Sequence, residues 1–219
     1  MTIESAQFEK LLTSPRLPFY AKQIQAVLNN ESQKRHDFYN QITEGDKVEF
    51  INGEAIFHSP VKFRHNHASG QLYRLLSTFV MFNDLGYVGF EKIMVSLTRN
   101  DYESDICYFN KEKASQFKPD QMRFPAPDFV VEVLSNSTVA NDRGVKFEDY
   151  AAHGIVEYWI VDPDEETIEQ YELREDAYEL VVKVKAGQID SLVIPDFTIP
   201  VRAVFDEQEN RVALQTLLK

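Results

Sequence analysis

The chain has 219 residues, 43% of them apolar, which gives one domain with a sizeable core, or one with an appendage, rather than several. Lys and Arg number 23 against 35 Asp and Glu, so the formal net charge is −12; this excludes a molecule coated in the basic surface of tight non-specific DNA binders, though not a local basic groove. Cys107 is the only cysteine, no apolar run nears the ~20 residues that span a bilayer, and Met1-Thr2-Ile3-Glu4 lacks a signal-peptide opening, so the expectation is a soluble, reduced, cytoplasmic protein without membrane, disulfide or CxxC zinc site.

Residues 5–42 read as helical, with short apolar stripes at Phe8, Leu11 and Leu12 and at Ile24, Val27 and Leu28. Val48 to Ile51 and Glu54 to Phe57 flank Asn52-Gly53, a strong hairpin signal because both central residues need positive φ. Leu72, Leu75, Leu76, Phe79 and Val80 mark an amphipathic helix over 66–82, closed by Gly86. Strands are expected at 87–97 and 103–109, with a turn at Arg99-Asn100-Asp101. Phe129 to Leu134 is a continuous apolar run, the mark of a central strand. A helix over 142–153 ends at Gly154, Val156 to Val161 forms a further strand, and 167–173, 178–185 and 192–204 read as strands. The sum is α+β or mixed α/β with one central sheet: a helical extension (1–40), a domain (41–206) and a tail or helix (207–219).

Charge is uneven along the chain. Between Val61 and Asn83 there is no acid, only Lys62, Arg64 and Arg74 with His65 and His67, whereas residues 162–190 hold ten acids and three bases. Beyond a Debye length of ~8 Å such regions act independently, so an acidic end does not forbid a phosphate-holding one; solvated faces are the plainer account of both.

Glu132 breaks the binary pattern. A carboxylate inside Val-Val-Glu-Val-Leu costs several kcal/mol unless a cation, a metal or several donors satisfy it. A buried ion pair with Arg or Lys is one answer, a functional site the other. Asp105 also interrupts a strand, on the face of Cys107 and Phe109, as a site residue or as an edge charge facing water. Asp128 lies four residues before Glu132, ~13 Å along a strand, too far to share an ion whose ligands stand at ~2 Å; it suits the loop entering the strand. Lys146 offers the cation that phosphate chemistry needs, with Asp142 and Tyr150 on its helix face, or else a simple surface pair with Asp142. Glu54 merely follows the hairpin turn, and His67 stands near a helix start. His65-Asn66-His67 spells the name of a nuclease motif, but residues two apart on a helix do not face together.

Pro127 to Ser135, Ser137-Thr138, Asp142 to Lys146, Tyr150, Gly154 and Glu157-Tyr158-Trp159-Ile160-Val161-Asp162-Pro163 together resemble the Uma-type family of restriction endonucleases. The likeness extends from Asn52-Gly53-Glu54, Ser59-Pro60 and His67 through the Asp105 strand to Ile194-Pro195-Asp196-Phe197, roughly residues 40–206. It implies a restriction endonuclease-like, PD-(D/E)XK fold: a central mixed sheet flanked by helices, here with extra C-terminal strands. It implies Asp105 and Glu132 as metal carboxylates, the Val133 carbonyl as a further ligand, Mg²⁺ (or Mn²⁺) as cofactor, and a Lys role moved from the Leu134 position to Lys146. Glu54 joins the catalytic group, with His67, Asp128 and Tyr150 accessory and Lys62, Arg64 and Arg74 as contacts to nucleic acid. Ser104 stands where the family has Pro. The resulting expectation is a metal-dependent endonuclease acting on DNA, homodimeric by analogy; a non-catalytic binding module, or a phosphodiesterase for small or RNA substrates, are its rivals.

Overall fold

A computed structural model describes residues 3–218, with side chains from Ala6. Helices α1 (Ile3–Leu12) and α2 (Leu17–Gln41) are separated by a turn at 13–16, so the expected single helical stretch is broken. The hairpin β1 (Val48–Ile51) and β2 (Glu54–Phe57) forms as read, with Asn52 and Gly53 at φ of 52° and 84°. Helix α3 spans Phe63–Phe82.

The expected strand at 87–97 divides into β3 (Gly86–Phe90) and β4 (Met94–Ser96), and that at 103–109 into β5 (Asp101–Glu103) and β6 (Ile106–Asn110). Asp105 therefore occupies the break between β5 and β6 rather than an alternating position within one strand. Then follow α4 (Lys111–Ala114), β7 (Arg123–Phe124), β8 (Phe129–Val133), α5 (Val139–Asp142), α6 (Val145–Ala152) and β9 (Glu157–Asp162). The chain ends in β10 (Thr167–Arg174), β11 (Ala177–Val184), β12 (Gln188–Asp190), β13 (Thr198–Pro200), a 3₁₀ turn at Val201–Val204 and α7 (Glu207–Leu217). Of the strand expected over 192–204, only 198–200 pairs.

The described residues form two main sheets, not the one expected. A six-stranded mixed sheet runs β11-β10-β9-β8-β6-β3, with β8 and β9 parallel, and a five-stranded sheet runs β2-β1-β5-β4-β7. Strands β5 and β6 are consecutive but belong to different sheets, so Asp105 sits where the two sheets part. The parallel β8–β9 pair requires a crossover, which α5 and α6 supply. Phe129, Val131 and Val133 of β8 pack on the side of α3 and α7, while Val130 packs with Tyr150 and Tyr158 on the α6 side. Alternation puts Glu132 with Val130, on the α6 side.

Candidate active site

Glu132 is buried, and burial pushes its carboxyl well above the ordinary range even though Lys146 pulls the other way. Its Oε1 accepts from Lys146 Nζ at 3.1 Å and from the Tyr150 hydroxyl at 2.8 Å. Both donors come from α6, four residues apart and hence on one helix face. Among the described residues Oε2 accepts no hydrogen bond.

Lys146 is fully buried among carboxylates: Glu49 Oε1 at 2.9 Å, Glu132 Oε1 at 3.1 Å and Asp142 Oδ1 at 3.3 Å. Burial opposes its charge, but these three acids outweigh it and raise its pKa well above that of a free lysine. Burial also raises Asp142. Glu49 is held down against its own burial by Lys146 and by His58, whose Nε2 stands 3.1 Å from Oε2. One lysine thus faces three acids, and the cluster has room for more positive charge.

Asp105 receives the Val133 N–H on Oδ2 at 2.8 Å, with His65 Nε2 at 3.4 Å from the same oxygen; Oδ1 has only Lys47, at 3.8 Å. Burial raises this carboxyl, but His65, Lys47 and the Val133 N–H together bring it below the ordinary value. Within a strand the N–H and C=O of one residue point to the same edge, so the Val133 carbonyl is turned to Asp105's side. A cavity of about 30 Å³ is lined by Asp105, Glu132, Lys146, His65, Lys47 and Glu103, among others. That is room for a water or two at most. It adjoins a groove of about 400 Å³ lined by Ser59, Lys62, Arg64, His65, Ser135, Ser137 and Asp164.

Among the described residues no three His, Cys, Asp or Glu side chains form a ready metal cage. A Mg²⁺ ion does not need one, since it binds through one or two carboxylates and keeps waters. Two carboxylates on one small cavity, each with an oxygen left over, fit that requirement.

The other sequence candidates lie elsewhere. Glu54 is exposed on β2, an edge strand; the hairpin carboxylate that reaches the cluster is Glu49 of β1. His67 is half-buried and packs on the Phe63 ring, whereas His65 is the histidine that meets Asp105. Asp128 accepts from Asn110 N at 2.7 Å and pairs with Lys113 at 2.9 Å, holding the entry to β8. Arg74 is exposed and donates to Gln71 and Asn210, tying α3 to α7. Arg64 lines the groove, bonded to Asp164, and Lys62 is exposed beside it. Sequence reasoning missed Glu49, His58 and His65. Glu49 carried the same signal as Glu132, an acid inside an apolar strand; the two histidines carried none.

The site thus gathers buried acids and one buried lysine at the point where the two mixed sheets part. Residues 35–202 match the Uma2 family model, described as "Putative restriction endonuclease", and the chain belongs to that family. A crystal structure described as a "putative nuclease belonging to DUF820 from Anabaena variabilis ATCC 29413" has a similar fold: TM-score 0.64, 16% identity, 77% of this chain and 94% of that one covered. No curated protein matches.

Proposed function

We propose that the chain is a Mg²⁺-dependent endonuclease of the PD-(D/E)XK type, hydrolysing phosphodiester bonds in DNA, with Mn²⁺ able to substitute. The observation that carries the reading is the pair Asp105 and Glu132 on one cavity beside the buried ammonium of Lys146. Asp105, Glu132 and the Val133 carbonyl would hold the ion. When bound, it supplies a Lewis acid for a phosphate oxygen and a water of lowered pKa.

The remaining work falls to the chain. Lys146 stays protonated among its three acids, so it does not serve as a base; it contributes fixed positive charge beside the cavity toward the developing charge on phosphorus. Tyr150 donates to Glu132 Oε1 and fixes the carboxyl plane, leaving Oε2 for the ion. His65 and the Val133 N–H fix Asp105 in the same way. Lys62 and Arg64 border the groove next to the cavity, which supports a role for them in meeting the nucleic-acid backbone.

The test is nicking of supercoiled plasmid by purified protein with Mg²⁺. Glu132→Ala and Lys146→Ala should abolish it; equal nicking by these variants would assign the activity to a contaminant.

A second reading, a non-catalytic binding module on a degenerate nuclease fold, is favoured by the net charge of −12 and by Arg64 being spent on Asp164. Thermal shift separates the two. An intact site gains stability with Mn²⁺ by mass action, and a degenerate one does not.

A further inference from the structure

Helix α2 is anchored through its second half. Glu31 accepts two hydrogen bonds from Arg99 at 2.7 Å, Arg35 binds Asp101, and Phe38 is buried. Every residue from 21 to 30 is exposed. Yet the docking face does not stop being apolar where its contacts stop. At 100° per residue, Tyr20, Ile24 and Val27 lie within about 40° of Phe38, with Leu28 at the margin. Ile24 and Val27 are 52% and 51% exposed. Phe8 and Leu12 of α1 and Phe19 of α2 are exposed as well. A ten-residue helix such as α1 is marginal in water by itself, and most helical stability in proteins comes from packing an apolar face, so the apolar face left open here is a contact surface.

Three observations select the partner. Residues 1–41 carry five bases (Lys10, Arg16, Lys22, Lys34, Arg35) and four acids (Glu4, Glu9, Glu31, Asp37), a net of +1, which leaves −13 on the rest of the chain. Two such bodies repel, and a nearly neutral arm is the surface through which two copies can meet with least repulsion. The exposed apolar side chains present on the order of 500 Å² per copy, so a symmetric pairing removes at most on the order of 1,000 Å², about where specific interfaces begin. Most of the arm also precedes the segment matched by the family model, which begins at residue 35, so its apolar face is not needed to complete the shared domain. A lipid surface fits less well. From residue 17 to 30 the only charge is Lys22, and a helix that lies on membranes carries a dense basic face.

We propose that α1 and the first half of α2 form a dimerisation arm that pairs with the same arm of a second copy about a two-fold axis. One patch serves both partners, as an isologous contact requires. The inference stands apart from the hydrolytic reading, and its test uses no substrate. Light scattering on the full chain should give about twice 25.4 kDa. The double variant Ile24→Glu, Val27→Glu should give the single mass with the thermal midpoint of the domain retained. Leu180→Glu, an exposed apolar residue on β11, should leave the dimer intact. Because Cys107 is buried, cysteines placed singly at Tyr20, Ile24, Val27 and Leu28 are the only accessible thiols, and mild oxidation of at least one should link two chains. A monomeric wild type, a dimer that survives the double variant, a monomer that binds anionic vesicles, or no cross-link at any position overturns the proposal.

Discussion

Lys146 of α6 and Glu49 of β1 meet at 2.9 Å inside the protein, each almost wholly shielded from water. The contact joins the crossover helix of one sheet to a strand of the other. It leaves Lys146 as the shared counter-ion of acids from three elements, and its removal is the most informative change in the site.

Lys146→Met should abolish nicking and destabilise the fold by about 3–5 kcal/mol at pH 7–8, since it leaves acids buried without their cation. The pH dependence has a definite sign. Without Lys146 the pKa values of Glu132 and Asp142, already raised, climb further and that of Glu49 loses the cation that holds it down, so all three rise; an acid raised on folding favours the fold below its unfolded value and disfavours it as pH climbs through the folded one. The deficit relative to wild type should therefore shrink toward pH 4. Urea denaturation at both pH values checks this; a pH-independent deficit would contradict it.

Glu132→Gln should separate stability from activity. Burial holds this carboxyl well above its usual pKa, so ionising it costs the wild type stability as pH rises. The amide should raise the thermal midpoint at pH 8, with the advantage fading toward pH 4, while nicking and the Mn²⁺-induced thermal shift are lost. Asp105→Asn should also lose the Mn²⁺ shift, and Glu54→Ala should keep both nicking and the shift.

The two arginines singled out near each other in sequence should behave oppositely. Arg64→Ala removes a groove cation and should weaken DNA binding and lower the salt slope by about 1 without changing stability. Arg74→Ala breaks the bonds to Gln71 and Asn210 and should cost about 1–3 kcal/mol with affinity unchanged. Salt-dependent binding and urea denaturation measure the pair.

Glu169 sets an acid limit on stability. Hydrogen bonds from Arg143, opposed by burial and reinforced by Lys183 and Tyr171, hold it at about 2. A depressed carboxyl stabilises the fold above its unfolded pKa of 4.5 and loses that contribution as pH falls toward 2. Wild type should lose stability across that window more steeply than Glu169→Gln, which is weaker at pH 7. Thermal midpoints from pH 2 to 7 follow it.

Glu132 was legible because it violates an apolar run, and Lys146 because helix spacing ties it to Asp142 and Tyr150. The hairpin and α3 were legible because turn chemistry and a 3.6-residue period are local signals. The second sheet was not, because nothing local shows that a chain leaves one sheet at Ser104-Asp105 and enters another. Glu54 drew attention by its place in a familiar block, and Glu49, five residues earlier, escaped it, since which hairpin acid points inward depends on the sheet behind it. The bond between exposed Arg74 and Asn210 was not legible, because the two lie far apart along the chain and only tertiary packing brings them near.

Glu132 lies on β8 with valines on either side, and that spacing has a bearing on assembly of the sheet. Sliding β8 by one residue against β6 and β9 would swing the carboxyl toward α3 and α7 and bring a valine beneath the ammonium of Lys146. An apolar strand with apolar neighbours on both faces would otherwise have little to tell one alignment from the next. The acid thus acts as an index mark, so that a chain carrying leucine there should fold with its strands less uniquely aligned, whatever becomes of its chemistry.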